Sequence, residues 1–309
     1  MQSWKPLVIF SMILLILLVA CGGRPLQPSS GPTSIPTLAS TFTPAFTQTP
    51  ASTPTPVPTA TSIPPSGPCA NVFMPILQDA EWVYQAFDGT NASATRNLSI
   101  VKMTVTEVGS PYSKIDILDE NAGSTMHLAV RCLESRIEDF PLLVISMLLG
   151  DQTDGKFIDS YYVSGVYAPS FETLQQNNWQ YSWKTNYVTE GRYLLSYPEF
   201  GLSLYILEDT SMVLASEISN EREPVTVAAG TFPQAIKITQ TFSLPVNWIL
   251  GASSSSPTLS VTSTQWYQPY VGLLKASIVV AEVEFTQDQK YPTGGDRSIE
   301  LVEFHPGEE

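Results

Sequence analysis

The chain has 309 residues, with 15 Lys+Arg against 29 Asp+Glu, three Cys and two His. A net charge of −14 argues against a nucleic-acid binder, whose surface must be basic to meet phosphate. Two His and three Cys are too few for a multi-ligand zinc or iron–sulfur centre, so neither metal nor cofactor is expected. Proline and charge are unevenly placed, since 13 of the 25 Pro lie in the first 68 residues and the first acidic residue is Asp79. This distribution predicts a processed front end (1–20), a tether (21–68) and one globular domain (69–309).

Residues 1–21 carry one cation, Lys5, ahead of an apolar run from Leu7 to Ala20. That length suits a secretory signal and is short for a bilayer span of about 20 residues. The run ends in Leu18-Val19-Ala20-Cys21, which resembles the lipobox of bacterial lipoproteins. The resemblance implies cleavage after Ala20, diacylglycerol on the Cys21 sulfur and acylation of the new amino terminus. A chain so processed is anchored by lipid on the outer face of a membrane without spanning it.

Residues 22–68 contain 12 Pro and 17 Ser/Thr, with Thr-Pro steps such as Thr53-Pro54-Thr55-Pro56. Proline fixes φ and lacks an amide proton, so neither helix nor ladder is predicted there. An extended, polyproline-II-like spacer is, with a reach on the order of 100 Å.

Beyond Pro68 the hydrophobic period is two. Val101, Met103 and Val105 alternate with Lys102, Thr104 and Thr106; Ile236, Ile238, Phe242 and Leu244 alternate with Lys237, Thr239, Thr241 and Ser243; Val279, Ala281, Val283 and Phe285 form a face against Glu282 and Glu284. Such alternation predicts antiparallel sheet with one wet face. Pro141–Gly150 is uniformly apolar and reads as a buried strand or a short helix. With Cys21 acylated, Cys69 and Cys132 remain, either as a disulfide in an oxidising compartment or as two buried thiols.

Catalytic motifs are absent: there is no Gly-x-Ser-x-Gly, His-Glu-x-x-His or Cys-x-x-Cys, and no enzyme is expected. Ser99 and Lys102 have the spacing of a Ser-x-x-Lys pair, but on a strand they point to opposite faces. His127 reads as a sheet residue, and His305 has no evident partner. The acidic stretches Asp116–Asn121 and Asp151–Gly155 read as solvated turns without the spacing of a calcium loop.

Val225-Thr226-Val227-Ala228-Ala229-Gly230-Thr231-Phe232, running into Ala235-Ile236-Lys237-Ile238, is followed by Trp266-Tyr267-Gln268-Pro269-Tyr270-Val271-Gly272-Leu273-Leu274-Lys275. Over 223–285 this resembles the DUF3108 / TapB-like group of exported β-rich bacterial proteins. The resemblance implies an all-β fold, a curved antiparallel sheet similar to the half-barrel of the LolA/LppX lipoprotein carriers. No catalytic residue comes with it. The motif itself reads as architecture, with Gly230 at a positive-φ turn, Gly272 where a Cβ would clash and Trp266 offering a large core face. Two functions fit: a lipid-anchored carrier with an apolar ligand in its concave face, or a module of the cell envelope with a filled core that contacts a protein partner.

Overall fold

A computed structural model describes residues 66–88, 96–121, 123–140, 160–197, 202–250, 253–286, 289–292 and 297–307. Cys21, residues 22–65 of the tether, Pro141–Gly150 and Asp151–Gly155 lie outside these residues. Among them are seventeen strands and one short helix. The strands are β1 (Glu81–Asp88), β2 (Arg96–Glu107), β3 (Tyr112–Asp119), β4 (Ser124–Leu133), β5 (Arg136–Asp139), β6 (Ser160–Gly165), β7 (Ser182–Thr189), β8 (Tyr193–Tyr197), β9 (Leu202–Ile206), β10 (Ser211–Val227), β11 (Gly230–Pro245), β12 (Trp248–Leu250), β13 (Ser253–Ser255), β14 (Thr258–Gln268), β15 (Gly272–Thr286), β16 (Gln289–Pro292) and β17 (Arg297–His305). Helix α1 (Phe171–Gln176) is started by Ser170, whose side chain accepts from the Thr173 amide.

One antiparallel sheet holds thirteen strands, in the order β5-β4-β3-β2-β1-β17-β15-β14-β11-β10-β7-β6 with β16 beside β15. It curls into a nearly closed barrel, beyond the half-barrel expected. The two end strands meet at a seam, where the Ile137 amide donates to the Ala168 carbonyl (2.9 Å) and the Tyr167 and Ala168 amides donate to the Ile137 carbonyl (2.8 and 3.0 Å). Hairpins β8–β9 and β12–β13 form separate two-stranded sheets, with Leu195, Leu204 and Ile206 of the first buried in the common core.

Alternation decides which residues face inward. Ile115 and Ile117 of β3, Met212, Leu214 and Ile218 of β10, Ile236, Ile238, Phe242 and Leu244 of β11, and Leu259 and Val261 of β14 are all buried. In β15 the expected odd-numbered face holds at Val283, but Leu274, Ala276 and Ile278 point inward before it. The reason is a bulge opposite Thr262/Ser263, where one extra residue reverses the parity of the strand. Asp116–Asp119 also departs from expectation: it lies in β3, not in a turn.

Candidate functional site: a plugged barrel interior

The segment between Pro68 and β1 does not run along the surface. Cys69, Val72, Phe73, Met74 and Ile76 are buried, so this apolar stretch fills one part of the barrel interior. The Phe73 ring stacks on Trp183 (6.4 Å between centroids, 11°), meets Trp179 edge-on (6.4 Å, 81°) and tilts against Tyr267 (5.4 Å). Aromatic pairs of this kind contribute roughly 0.5–1.5 kcal/mol each beyond burial. Arg222 covers the outer side of Trp179 at 4.8 Å, and its own desolvation lowers the guanidinium pKa.

Asn71 is the polar member of this plug and is fully buried. Its amide group donates to the carbonyls of Ser135 (2.8 Å) and Pro169 (2.9 Å), with that of Ala168 at 3.4 Å. Its Oδ1 accepts from the Phe73 amide at 2.9 Å. The Ser135 amide donates to Pro68, and the Tyr270 amide to Val72. Cys69 and Cys132 form a disulfide with Cα atoms 5.3 Å apart, closing a loop across 63 positions and joining the plug to β4.

Beneath the plug lies a row of buried polar side chains. Trp183, Ser216, Gln240, Ser263 and Ile278 are register partners across β7, β10, β11, β14 and β15. Gln240 donates to Ser216 (3.2 Å), Gln265 donates to Gln240 (2.7 Å) and Ser263 (3.1 Å), and the Tyr267 hydroxyl donates to Gln265 (2.7 Å). Both carboxamides are thereby satisfied, which is what makes them tolerable in an apolar interior. Burial raises the phenol pKa values of Tyr84, Tyr167, Tyr187 and Tyr267, so these hydroxyls stay protonated donors.

Phe73, Met74, Tyr167, Trp183, Ile238, Gln240 and Tyr267 line a cavity of about 10 Å³. That is room for one water molecule, whereas pockets for small ligands run to roughly 300–1,000 Å³. The barrel is filled here by its own side chains.

The other predicted positions are structural neighbours of this interior. Gly272 has φ +114°, and a Cβ there would stand 3.0 Å from the Trp82 indole nitrogen, which donates to Val271 at 2.6 Å. Gly230 has φ +140° and opens β11 opposite Val227, after the two-residue turn Ala228-Ala229. Trp266 corrects the expectation of a large core face. It has the outward parity of β14, between inward Gln265 and Tyr267, and is only partly buried, with Lys237 over its ring at 5.8 Å and its indole N–H donating to Glu223. The large inward aromatic of the motif is Tyr267. His127 is exposed and faces Asp116 across the β3–β4 ladder at 2.7 Å, and His305 pairs with Glu303 at 2.9 Å. Among the described residues, no group of His, Cys, Asp and Glu side chains is arranged to hold a metal ion.

At the seam, Glu138 is buried between Arg131 (2.9 Å) and Arg136 (2.7 Å). Desolvation raises the neighbouring Asp139 carboxyl to about 6, against a smaller lowering effect of Arg131.

Sequence reasoning missed Asn71, Phe73 and the polar row. The signal for the row was available, because Ser263 and Gln265 share the parity of Val261 and Tyr267, and Gln240 that of Ile238 and Phe242.

No protein-family model matches the chain, and no curated protein does. Two solved structures are similar. One is a Bacteroides fragilis protein assigned as exported, with a YmcC-like fold, 11% identical over 76% of this chain and 99% of its own, with a TM-score of 0.42. The other is a Parabacteroides distasonis protein assigned as a lipoprotein, 15% identical over 76% and 99%, also at 0.42. Identities and scores this low do not establish a shared family.

Proposed function

We propose that this chain is an exported lipoprotein that presents a filled β-barrel to a protein partner of the cell envelope and neither catalyses a reaction nor carries an apolar ligand. Lipid on Cys21 holds it to the outer face of a membrane, and residues 22–68 set the domain away from the surface. The observation that carries the reading is the occupied space around Phe73: this ring and its aromatic neighbours fill that part of the interior and leave a cavity of about 10 Å³ beside it. Charge supports the arrangement. Setting aside Lys5 and Arg24 leaves 13 basic against 29 acidic residues from 69 onward, a domain charge of about −16. Anionic lipid repels such a domain, so attachment falls to the acyl chains.

Two measurements test the reading. Labelled palmitate enters the wild-type protein and not the Cys21→Ser variant; label in the variant would remove the anchor. Residues 21–309, carrying Cys21→Ser, show no saturable uptake of a fluorescent fatty acid at micromolar concentration. Stoichiometric uptake would restore the carrier reading.

A further inference from the structure

The barrel closes in an unusual place. Among the described residues every other neighbouring pair in the sheet is held by a ladder, whereas β5 and β6 meet through the short bridge of Ile137 with Tyr167 and Ala168. Among the described residues Asn71 also spans this seam, because Ser135 lies just before β5 while Ala168 and Pro169 lie just after β6, alongside the Phe140 ring on Tyr167 (4.9 Å) and the Tyr187 hydroxyl donating to the Phe140 carbonyl (3.1 Å). Asn71 stands two residues from Cys69, and Cys69 follows directly on the Pro-rich stretch. The chain's incoming end, its covalent cross-link and a fastening of this joint thus fall within the four residues Pro68–Asn71.

We propose that residues 68–76 are a mechanical clasp, in which Asn71 fastens the seam and the Cys69–Cys132 bond diverts tension away from it. Tension arriving from before Pro68 reaches Cys69 first. The disulfide passes it to β4, which is held in a full ladder by β3. The backbone from Ala70 to Ile76 is then off the covalent load path, and Asn71 stays seated. Without the disulfide the same tension pulls along the plug, draws Asn71 off its three carbonyls and withdraws Phe73 from Trp183 and Tyr267. The seam loses its fastening, and the interior row around Gln240 and Gln265 becomes reachable. The disulfide therefore decides whether the barrel can be opened from its tether. The source of tension rests on the membrane-anchor reading; the mechanics of the clasp do not.

The test stretches residues 21–309 with Cys21→Ser between the two chain ends in optical tweezers. With the disulfide intact, one main opening is expected, with no earlier step. With Cys69→Ala/Cys132→Ala, a separate step of about 40 Å precedes it, the length of Cys69–Ala80 drawn out at about 3.4 Å per residue. Asn71→Ser in that background lowers the force of the early step by about half and leaves the main opening unchanged. If the doubly substituted chain fails to fold, the wild-type chain is folded oxidised and its disulfide reduced with dithiothreitol in the instrument. In the intact background Asn71→Ser leaves the opening force unchanged, while exchange of the Ile137, Tyr167 and Ala168 amides speeds up about tenfold, the loss of roughly one hydrogen bond. A disulfide-free chain that opens in one step at the wild-type force overturns the proposal. So does an Asn71→Ser effect on exchange that spreads equally to β14 and β15. Missing palmitate label on Cys21 would remove the membrane as the source of load and leave these outcomes as they stand.

Discussion

The two sides of the barrel are held by different means. On one side β10, β11, β14 and β15 are strands of 17, 16, 11 and 15 residues, successive along the sheet and paired antiparallel. The turn Ala228-Ala229 and the turn before Gly272 set two of their registers locally. On the other side β5 and β6 have four and six residues and meet through a short bridge. There Asn71, a side chain outside the sheet, bonds to residues on both sides of the joint, and a disulfide ties its segment to β4. Long hairpins specify their own pairing through alternation and turns; a seam between strands distant in the chain order must be fastened by something else.

The sharpest way to break this contrast is to remove the fastening. Cys69→Ala/Cys132→Ala should cost about 4 kcal/mol in denaturant unfolding, the chain-entropy value for a 63-residue loop. A cost below about 1 kcal/mol would mean that the seam holds without its cross-link. On the hairpin side, Gly272→Ala should cost about 2–3 kcal/mol, because φ +114° strains any side chain and the Cβ meets Trp82. A wild-type melting curve would show that the β14–β15 turn has another solution. Tyr267→Phe leaves the Gln265 oxygen without its phenol donor and should cost about 1–2 kcal/mol, read from the same unfolding curves.

The smallest effect belongs to the seam. The Asp139 carboxyl has a folded pKa of about 6, above its unfolded value near 4. The folded state therefore binds the proton more tightly, and this group's contribution to stability falls as pH rises from about 4 to 6. Asp139→Asn removes that slope and stabilises the protein at pH 8 by about 1 kcal/mol, allowing for solvent screening of a partly exposed group. Unfolding free energies of the variant and wild type that run parallel from pH 4 to 8 would count against the shift.

Much of the sheet was legible because period-two alternation is a local property. The parities of β2 and β11 and the roles of Gly230 and Gly272 at turns could be read from neighbouring residues alone. The parity of β15 could not, since a bulge sits at a point fixed by its partner strand. Trp266 misled for a related reason: size suggests burial, but parity made Tyr267 the inward residue and left Trp266 to Lys237 and Glu223. The plug was illegible because Asn71 and Phe73 act on residues 64 to 194 positions away. An asparagine in an apolar stretch names no partner until the barrel brings Ser135 and Pro169 to it.

The filled interior is the claim on which the functional reading turns, and native mass spectrometry of residues 21–309 with Cys21→Ser tests it most directly. The account predicts the same mass under native and denaturing conditions. A stoichiometric excess of a few hundred daltons in the native state, lost on denaturation, would contradict it.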